Sequence, residues 1–378
     1  MWGIDLRNLF AKDKSKIPGE KKVSKLGFGG AFLPTFKDDK SSVDLKKTEQ
    51  ILGFAIRNGI KYFDTGWQYH MGKSEETLSQ LLSVYPRNSY YLSDKLPIWN
   101  VNSIKDVDYY FNEQLKRCNT EYFDYYLIHS VNDSHFKKAK DFDVYNNLSN
   151  KKREGKILNL GFSFSGSPEL LKEVLEEYNW DFVMLQLTYF DWIYGCSKDL
   201  YDVVREKKVP IVVMQPFRRG LLSKKSKMSE LALKFICSLD GVEFVICGMR
   251  EIKHLKNNLG ALNKCSEFSS NDFNKLDIAV KNLFMEHLKI CNGCQKCEQV
   301  CPKGIKIPGI LLTLQQLFEI KDQYFYVDLY SSITKTKRAE ACDACGKCLD
   351  VCPKKVNISE LMGKISKINK SKYSDLIQ

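Results

Sequence analysis

The chain has 378 residues, 43% hydrophobic and 28% charged, a balance that suits a globular protein with one large domain and one small one. Its net charge of +12 comes from lysines spread along the chain, with no helix-turn-helix, ribonucleoprotein or zinc-finger pattern, which argues against a nucleic-acid partner. No run nears the roughly 18 consecutive apolar residues of a membrane span, and the N-terminus lacks the apolar core of a secretory signal, so a cytoplasmic protein with no membrane partner is expected.

Residues 1–24, turned at Pro18-Gly19, read as a lid segment. From 25 to 265 eight short β-rich runs alternate with amphipathic stretches such as SPELLKEVLEEY. The runs are KLGFGGAF (25–32), KYFDT (61–65), SYYLSDKL (89–96), FDYYLIH (123–129), ILNLGFSF (157–164), FVMLQLT (182–188), PIVVMQP (210–216) and EFVICGM (243–249). Near-continuous apolar strands alternating with helices mean a parallel sheet covered by helices, and eight units match a (β/α)8 TIM barrel. A doubly wound sheet is the second choice, but Gly27-Phe28-Gly29-Gly30 lacks the later glycine of a dinucleotide fingerprint. Residues 266–290 read as a linker helix capped by Asn271 or Asp272.

An internal repeat follows. CNGCQKCEQVCPKGIKI (291–307) and CDACGKCLDVCPKKVNI (342–358) align with a constant offset of 51 residues. Residues 291–378 therefore read as a duplicated, mostly helical module. Thirteen cysteines in a long, unsignalled chain, eight of them clustered, point to metal ligands rather than disulfides. The spacing C-x2-C-x2-C-x3-C-P is the ferredoxin run for a [4Fe–4S] cluster. Three thiolates within seven residues wrap one cube, and the fourth reaches to its neighbour. The expected ligand sets are Cys291, Cys294, Cys297 with Cys352, and Cys342, Cys345, Cys348 with Cys301. A pair of zinc sites is the alternative, but zinc favours separated C-x2-C pairs. Cys118, Cys196, Cys237, Cys247 and Cys265 follow no ligand spacing and read as small buried hydrophobes.

Barrel chemistry sits at the C-terminal strand ends. Asp64 ends the second run, Tyr69 lies in the following loop, Lys95 is near the end of the third run and His129 ends the fourth. Singly, these could cap a helix, pack, be solvated or fill the core. Their joint placement at one barrel face is harder to dismiss.

The stretches FDTGWQYHMGKSEETL, SDKLP, DYYLIHS, GFSFSG, LQLTY, MQPFRRGLL and CGMREIKHLKNNLGAL resemble, in order, motifs of the aldo/keto reductase family. The tail resembles a branch of that family carrying two [4Fe–4S] clusters. The resemblance implies an oxidoreductase acting on a small-molecule carbonyl/alcohol pair. Tyr69 would be the general acid, Lys95 would lower its pKa, Asp64 would hold Lys95, and His129 would orient the carbonyl. It also implies NAD(P)H, with Ser163 and Gln186 on the nicotinamide carboxamide and Arg218, Arg219, Arg250 and Asn258 near phosphate and adenine. Three positions depart from the family pattern: Phe164 stands after the serine, Met214 where an aromatic stacks, and Gly248 where a lysine binds phosphate.

A nicotinamide moves two electrons as hydride and a cluster moves one. No flavin fingerprint is present, although barrel phosphate sites can hold flavin mononucleotide without one, so flavin stays open as a third cofactor. A ferredoxin-like redox partner is the expected electron source. The alternative to an enzyme is an electron-transfer or docking protein whose barrel has lost turnover, and a further variant makes the clusters purely structural.

Overall fold

The computed structural model describes residues 24–36, 38–39, 42–218, 220–223, 226–263, 268–287, 291–312, 330 and 333–370. All but residue 24 of the expected lid segment lies outside them. The described elements run β1 (Leu26–Gly29), α1 (Leu45–Arg57), β2 (Tyr62–Asp64), α2 (Ser74–Leu82), β3 (Tyr91–Leu96), α3 (Ile104–Arg117) and β4 (Phe123–Val131). Then come α4 (Asp133–Asp141), α5 (Val144–Arg153), β5 (Ile157–Phe164), α6 (Pro168–Glu177), β6 (Phe182–Gln186), α7 (Tyr189–Tyr194) and α8 (Ser197–Lys207). β7 (Ile211–Met214), α9 (Ser226–Ser238), β8 (Val242–Cys247) and α10 (Ile252–Leu262) complete the alternation. Among the described residues there follow α11 (Ser270–His287), α12 (Lys296–Gln299), α13 (Lys347–Asp350) and α14 (Ile358–Lys370), with residues 307–312 also helical.

The eight strands form one closed parallel barrel in sequence order, closed where Leu26 of β1 faces Val245 of β8. Each observed strand overlaps one of the eight apolar runs; β4 continues past its run to Val131, and β8 starts one residue early at Val242. The barrel interior is filled rather than open: Tyr62, Tyr125, Leu127, Phe182, Met184, Val212, Phe244 and Ile246 form one buried cluster, as expected where inward residues stack in layers. Helix starts follow from their caps. Asp44 accepts from Lys47 N at 3.0 Å at the head of α1, Ser103 and Asp106 form a capping box on α3, and Asn132 accepts from His135 N at 2.9 Å on α4.

Close strand approach makes Gly161 indispensable. It pairs with Phe182 across β5 and β6, and a Cβ there would stand 2.5 Å from Phe182 O. Gly161→Ala is expected to cost about 1–3 kcal/mol by overpacking, read as a lowered urea midpoint with unchanged slope.

The chain divides into two compact units. One holds all eight strands, with residues through 164, 174–187 and 204–269; the other gathers 165–173, 188–203 and the chain from 270 onward. In this second unit the segment that leaves β6 packs on the first cysteine repeat: Tyr194 OH donates to Gly293 O at 3.4 Å and Gln295 Nε2 to Ile193 O at 3.0 Å. Among the described residues no helix is long and apolar enough to cross a membrane.

Candidate functional site

Asp64, Lys95 and His129 all come from C-terminal strand ends, so the barrel itself sets their spacing. Lys95 Nζ donates to Asp64 Oδ1 at 2.7 Å and to Thr65 O at 2.5 Å, and Ser93 Oγ donates to Asp64 Oδ1 at 3.2 Å. Lys95 and Asp64 are 1% and 4% exposed. A buried ammonium survives only with such partners. Burial opposes its charge, but Asp64 and then Tyr69 favour it, and the lysine stays above its ordinary value. Burial pushes the Asp64 carboxyl up, and Lys95 pulls it back.

Tyr69 is placed by a turn in which its N–H donates to Gly66 O at 3.0 Å, and the Lys95 ammonium lies 4.9 Å from its ring centroid. Burial raises the phenol above its ordinary value; Lys95 offsets part of that, and Asp64 adds to it. The ammonium was expected to lower this pKa outright. In the folded chain, desolvation wins, because the phenol shares the buried site that makes the lysine effective.

The His129 ring stands edge-on to Tyr69 at 5.9 Å between centroids and 5.0 Å from Trp99. Its Nδ1 is buried with no partner among the described residues. Burial, then Lys95 and His135, hold the imidazole well below its ordinary value, so it is neutral near pH 7. The next residue, Ser130, has φ +58° and lies in the bulge between Ile128 and Val131. Such bulges re-aim side chains at strand ends. Ser130 N donates to Ser163 Oγ at 2.7 Å, and Ser130 O lies 2.6 Å from His135 Nδ1.

Because the folded protein keeps His129 neutral while the unfolded chain protonates it below about pH 6.5, the unfolded state binds more protons there. Stability falls as pH drops through that value. His129→Gln is expected to flatten this part of the stability–pH curve, measured by urea titration between pH 5 and pH 8.

Of the expected cofactor-binding residues, Ser163 on β5 and Gln186 on β6 share the barrel's C-terminal rim. Ser163 is buried, and Gln186 pairs with Met214 of β7. Arg218 is 3% exposed at φ +48°, and Asn258 is buried on α10. Arg250 is exposed after β8, with its guanidinium 5.6 Å from the Phe32 ring centroid. Arg219 lies outside the described residues. The set offers a hydroxyl, two amides and two cations, donors that suit a nicotinamide dinucleotide. His70, next to the phenol, is engaged instead by Leu33 N, which donates to its Nε2 at 2.9 Å.

Sequence reasoning missed Ser93, Thr65, Trp99 and Ser130 in this site. Ser93 was findable, because it stands two residues from Lys95 on the same strand face. The others act through a backbone carbonyl, a loop position and a bulge, which leave no pattern.

In the second unit, the eight repeat thiols line two cavities. Cys291, Cys294, Cys297 and Cys352 line the first, with Leu311 and Val356. Cys301, Cys342, Cys345 and Cys348 line the second, with Ile305 and Met362. Ile307 and Ile358, equivalent residues of the repeat, line both. The backbone repeats too: the left-handed residues Gly293, Gln295 and Gly304 recur 51 positions on as Ala344, Gly346 and Lys355. Backbone N–H groups face sulfur in each half, Gly293 N to Cys291 Sγ at 3.4 Å and Val356 N to Cys352 Sγ at 3.5 Å. Burial, then the neighbouring Cys291, push the Cys297 thiol up to about 12. Four soft donors that repel one another as thiolates, in an apolar shell, fit a cationic iron–sulfur core. Among the described residues no three His, Cys, Asp or Glu side chains gather tightly enough for a single metal ion.

A closed parallel eight-stranded barrel with polar groups at its C-terminal rim, joined to a duplicated cysteine module, defines a (β/α)8 oxidoreductase. Residues 25–230 and 224–281 match the model of the aldo/keto reductase family, and 284–353 that of the 4Fe-4S dicluster domain. The first match spans more than half of the chain, and the chain belongs to the aldo/keto reductase family. It is 24% identical over 289 residues to an uncharacterized oxidoreductase of Bacillus subtilis (strain 168), covering 64% of this chain and 88% of that protein. It is also 24% identical over 281 residues to L-galactose dehydrogenase of Arabidopsis thaliana, covering 64% of this chain and 85% of that protein. Among solved structures, the aldo-keto reductase from Bacillus halodurans in its holo form superposes with a TM-score of 0.56 at 24% identity, over 68% of this chain and 94% of that one. The aldo-keto reductase from Klebsiella pneumoniae in complex with NADPH gives 0.57 at 19% identity, over 68% and 91%. These likenesses describe the barrel fold.

Proposed function

We propose that the protein interconverts a small-molecule carbonyl and its alcohol at Asp64, Tyr69, Lys95 and His129, with NADPH in the barrel and two [4Fe–4S] clusters that relay single electrons. The observation that carries this reading is the buried Lys95–Asp64 pair at 2.7 Å, with Tyr69 4.9 Å from the ammonium. Bound nicotinamide would supply the two electrons as hydride, and the two reduced clusters, one electron each, would be the alternative source of the same two electrons. The chain supplies the rest. Tyr69 OH gives its proton to the oxygen that becomes the alcohol. Lys95 stabilises the phenolate left behind, and Asp64 holds Lys95 in place. Neutral His129 donates a hydrogen bond that orients the carbonyl and stabilises its growing negative charge. Ser163 and Gln186 would hold the carboxamide, while Arg218, Arg219, Arg250 and Asn258 would contact phosphate and adenine. The Klebsiella relative's NADPH complex supports that choice of cofactor.

The ligand sets follow the two cavities, with Cys352 completing the Cys291 set and Cys301 the Cys342 set. The described cavities and the dicluster match support this assignment. The domain reading goes with it: barrel chemistry in 25–265, a linking helix in 266–290 and a cluster module in 291–378. A ferredoxin-like protein would feed the clusters.

Anaerobic purification followed by iron and sulfide analysis tests the cofactors, with the absorbance spectrum recorded before and after NADPH. Eight iron atoms per chain are expected from two clusters, and four or fewer would exclude a second cluster. A flavin band would show that the nicotinamide and the clusters meet through a third carrier.

A further inference from the structure

One residue before Lys95, Asp94 takes the opposite face of β3 and joins a second group of buried polar side chains. Glu75 of α2, Asp94 and Gln114 of α3 are each 0% exposed. Gln114 Nε2 lies 3.0 Å from Glu75 Oε1, 2.8 Å from Asp94 Oδ1 and 3.0 Å from Lys95 O. Tyr126 OH donates to Gln114 Oε1 at 2.6 Å, which fixes the amide the same way round. Arg117 Nη1 donates to Glu75 Oε2 at 3.2 Å, while its Nε donates to Glu113 Oε1 at 3.3 Å. Lys95 N donates to Asp94 Oδ1 at 2.8 Å, and Cys118 Sγ lies 3.6 Å from Asp94 Oδ2. The Glu75 and Asp94 carboxyls thus meet on the one Gln114 amide nitrogen.

Two counts disagree with both carboxyls being ionised. The first is charge. Asp64, Glu75 and Asp94 are three buried carboxyls; the cations paired with them are the buried Lys95 and the partly exposed Arg117, and Arg117 is shared with Glu113. The second is hydrogens. The Gln114 amide nitrogen has two hydrogens for three acceptors, Glu75 Oε1, Asp94 Oδ1 and Lys95 O. A buried anion without a partner is costly, and two carboxyls sharing one site resolve that by keeping a proton. Burial, then Glu75, hold Asp94 well above the usual carboxylate range. Arg117 favours Glu75 as the anion of the two.

We propose that Glu75 and Asp94 hold one proton between them, carried on Asp94, and that Asp94 is thereby a positioning residue for the catalytic pair. With Asp94 neutral, Asp64 is the carboxylate that acts on Lys95 among the described residues, so the ammonium's field stays directed at Tyr69. An anion at Asp94 raises both Lys95 and Tyr69, which weakens Tyr69 as an acid. The groups facing Asp94 are Lys95, Asp64 and Tyr69 on the barrel side, Glu75 on α2 with Arg117 paired to it, Gln114 on α3, Cys118 just after α3, and Tyr126 on β4. No proton leaves the pair during turnover. The proposal rests on the tetrad reading above and adds the charge state of the layer behind it.

Infrared spectroscopy of the whole protein tests it. Wild type labelled with 13C-carboxyl aspartate is expected to show, at pH 7, the C=O stretch of a protonated carboxylic acid, shifted by the label. Asp94→Asn is expected to lose that band. A wild-type spectrum with no such band overturns the shared proton, and this arm needs no variant to fold. The second readout is the pH profile of alcohol oxidation, which needs the Tyr69 phenolate. Asn is as neutral as a protonated Asp, so the acid limb in Asp94→Asn is expected to move by less than about half a pH unit. A shift of about one unit or more toward lower pH would mean that wild-type Asp94 carries charge, and the proposal falls. The tetrad reading fails separately: turnover that survives Tyr69→Phe removes the role of the proton while leaving the infrared band in place.

Discussion

Tyr69→Phe is expected to lower carbonyl turnover by about 10²- to 10⁴-fold, the usual worth of a positioned general acid, while leaving nicotinamide affinity within about threefold. The variant keeps the ring, and with it the 5.9 Å edge contact to His129; only the transferable proton goes. The raised pKa of the phenol suits the role. A carbonyl that has received hydride becomes an alkoxide, far more basic than any phenol, so the proton moves downhill once the alkoxide forms. Until then burial keeps it on Tyr69. Lys95 would act afterwards, when the phenolate needs a cation. The loss should therefore fall on kcat, with KM changed much less. Turnover within threefold of wild type on a confirmed substrate would remove Tyr69 from this role.

Cys352→Ser is expected to destroy or convert the cluster built on Cys291, Cys294 and Cys297, and to spare the one built on its own run. The reverse holds for Cys301→Ser. The reason is the cavity lining: Cys352 faces the first repeat's thiols and Cys301 the second's. Because Ile307 and Ile358 line both cavities, some loss of stability should accompany either change. Electron paramagnetic resonance of the reduced variants, with iron analysis, separates the two centres. The expected iron content is roughly half of wild type, or three-iron signals from the damaged site. Damage to the Cys342, Cys345, Cys348 centre in Cys352→Ser would mean that each run closes its own cube.

The parts legible in the sequence were those written in periodicity and spacing. Eight apolar runs became eight strands because each had to be buried on both faces, and the ends of the second, third and fourth carried Asp64, Lys95 and His129 to one rim. The 51-residue repeat foretold the two thiol-lined cavities because identical spacing folds to identical backbone, down to the left-handed residues. What stayed hidden depends on pairings between distant positions. Nothing in a chain-order pattern shows that Asp94 meets Glu75 through Gln114, or that a bulge turns Ser130 onto Ser163. The segment 188–203 lies inside the 25–265 span read as barrel, yet it clusters with the compact unit of the cysteine repeats. Its helix α7 is six residues long and starts from a local cap, Thr188 Oγ1 accepting from Asp191 N at 2.9 Å, so local signals alone describe a short turn rather than a packing partner. The net pKa of Tyr69 was also out of reach, since it is set by how deeply the fold buries the phenol beside its lysine.

The central claim is that the barrel site and the clusters form one electron path. Stopped-flow measurement of cluster absorbance tests it most directly. Chemically reduced protein is mixed with a carbonyl substrate, with and without NADPH, in wild type and in Lys95→Met. The account predicts that substrate reoxidises the clusters of wild type and that Lys95→Met slows this by about 10²-fold or more. Reoxidation at the same rate in both proteins, or none in either while NADPH-dependent turnover proceeds normally, would contradict it.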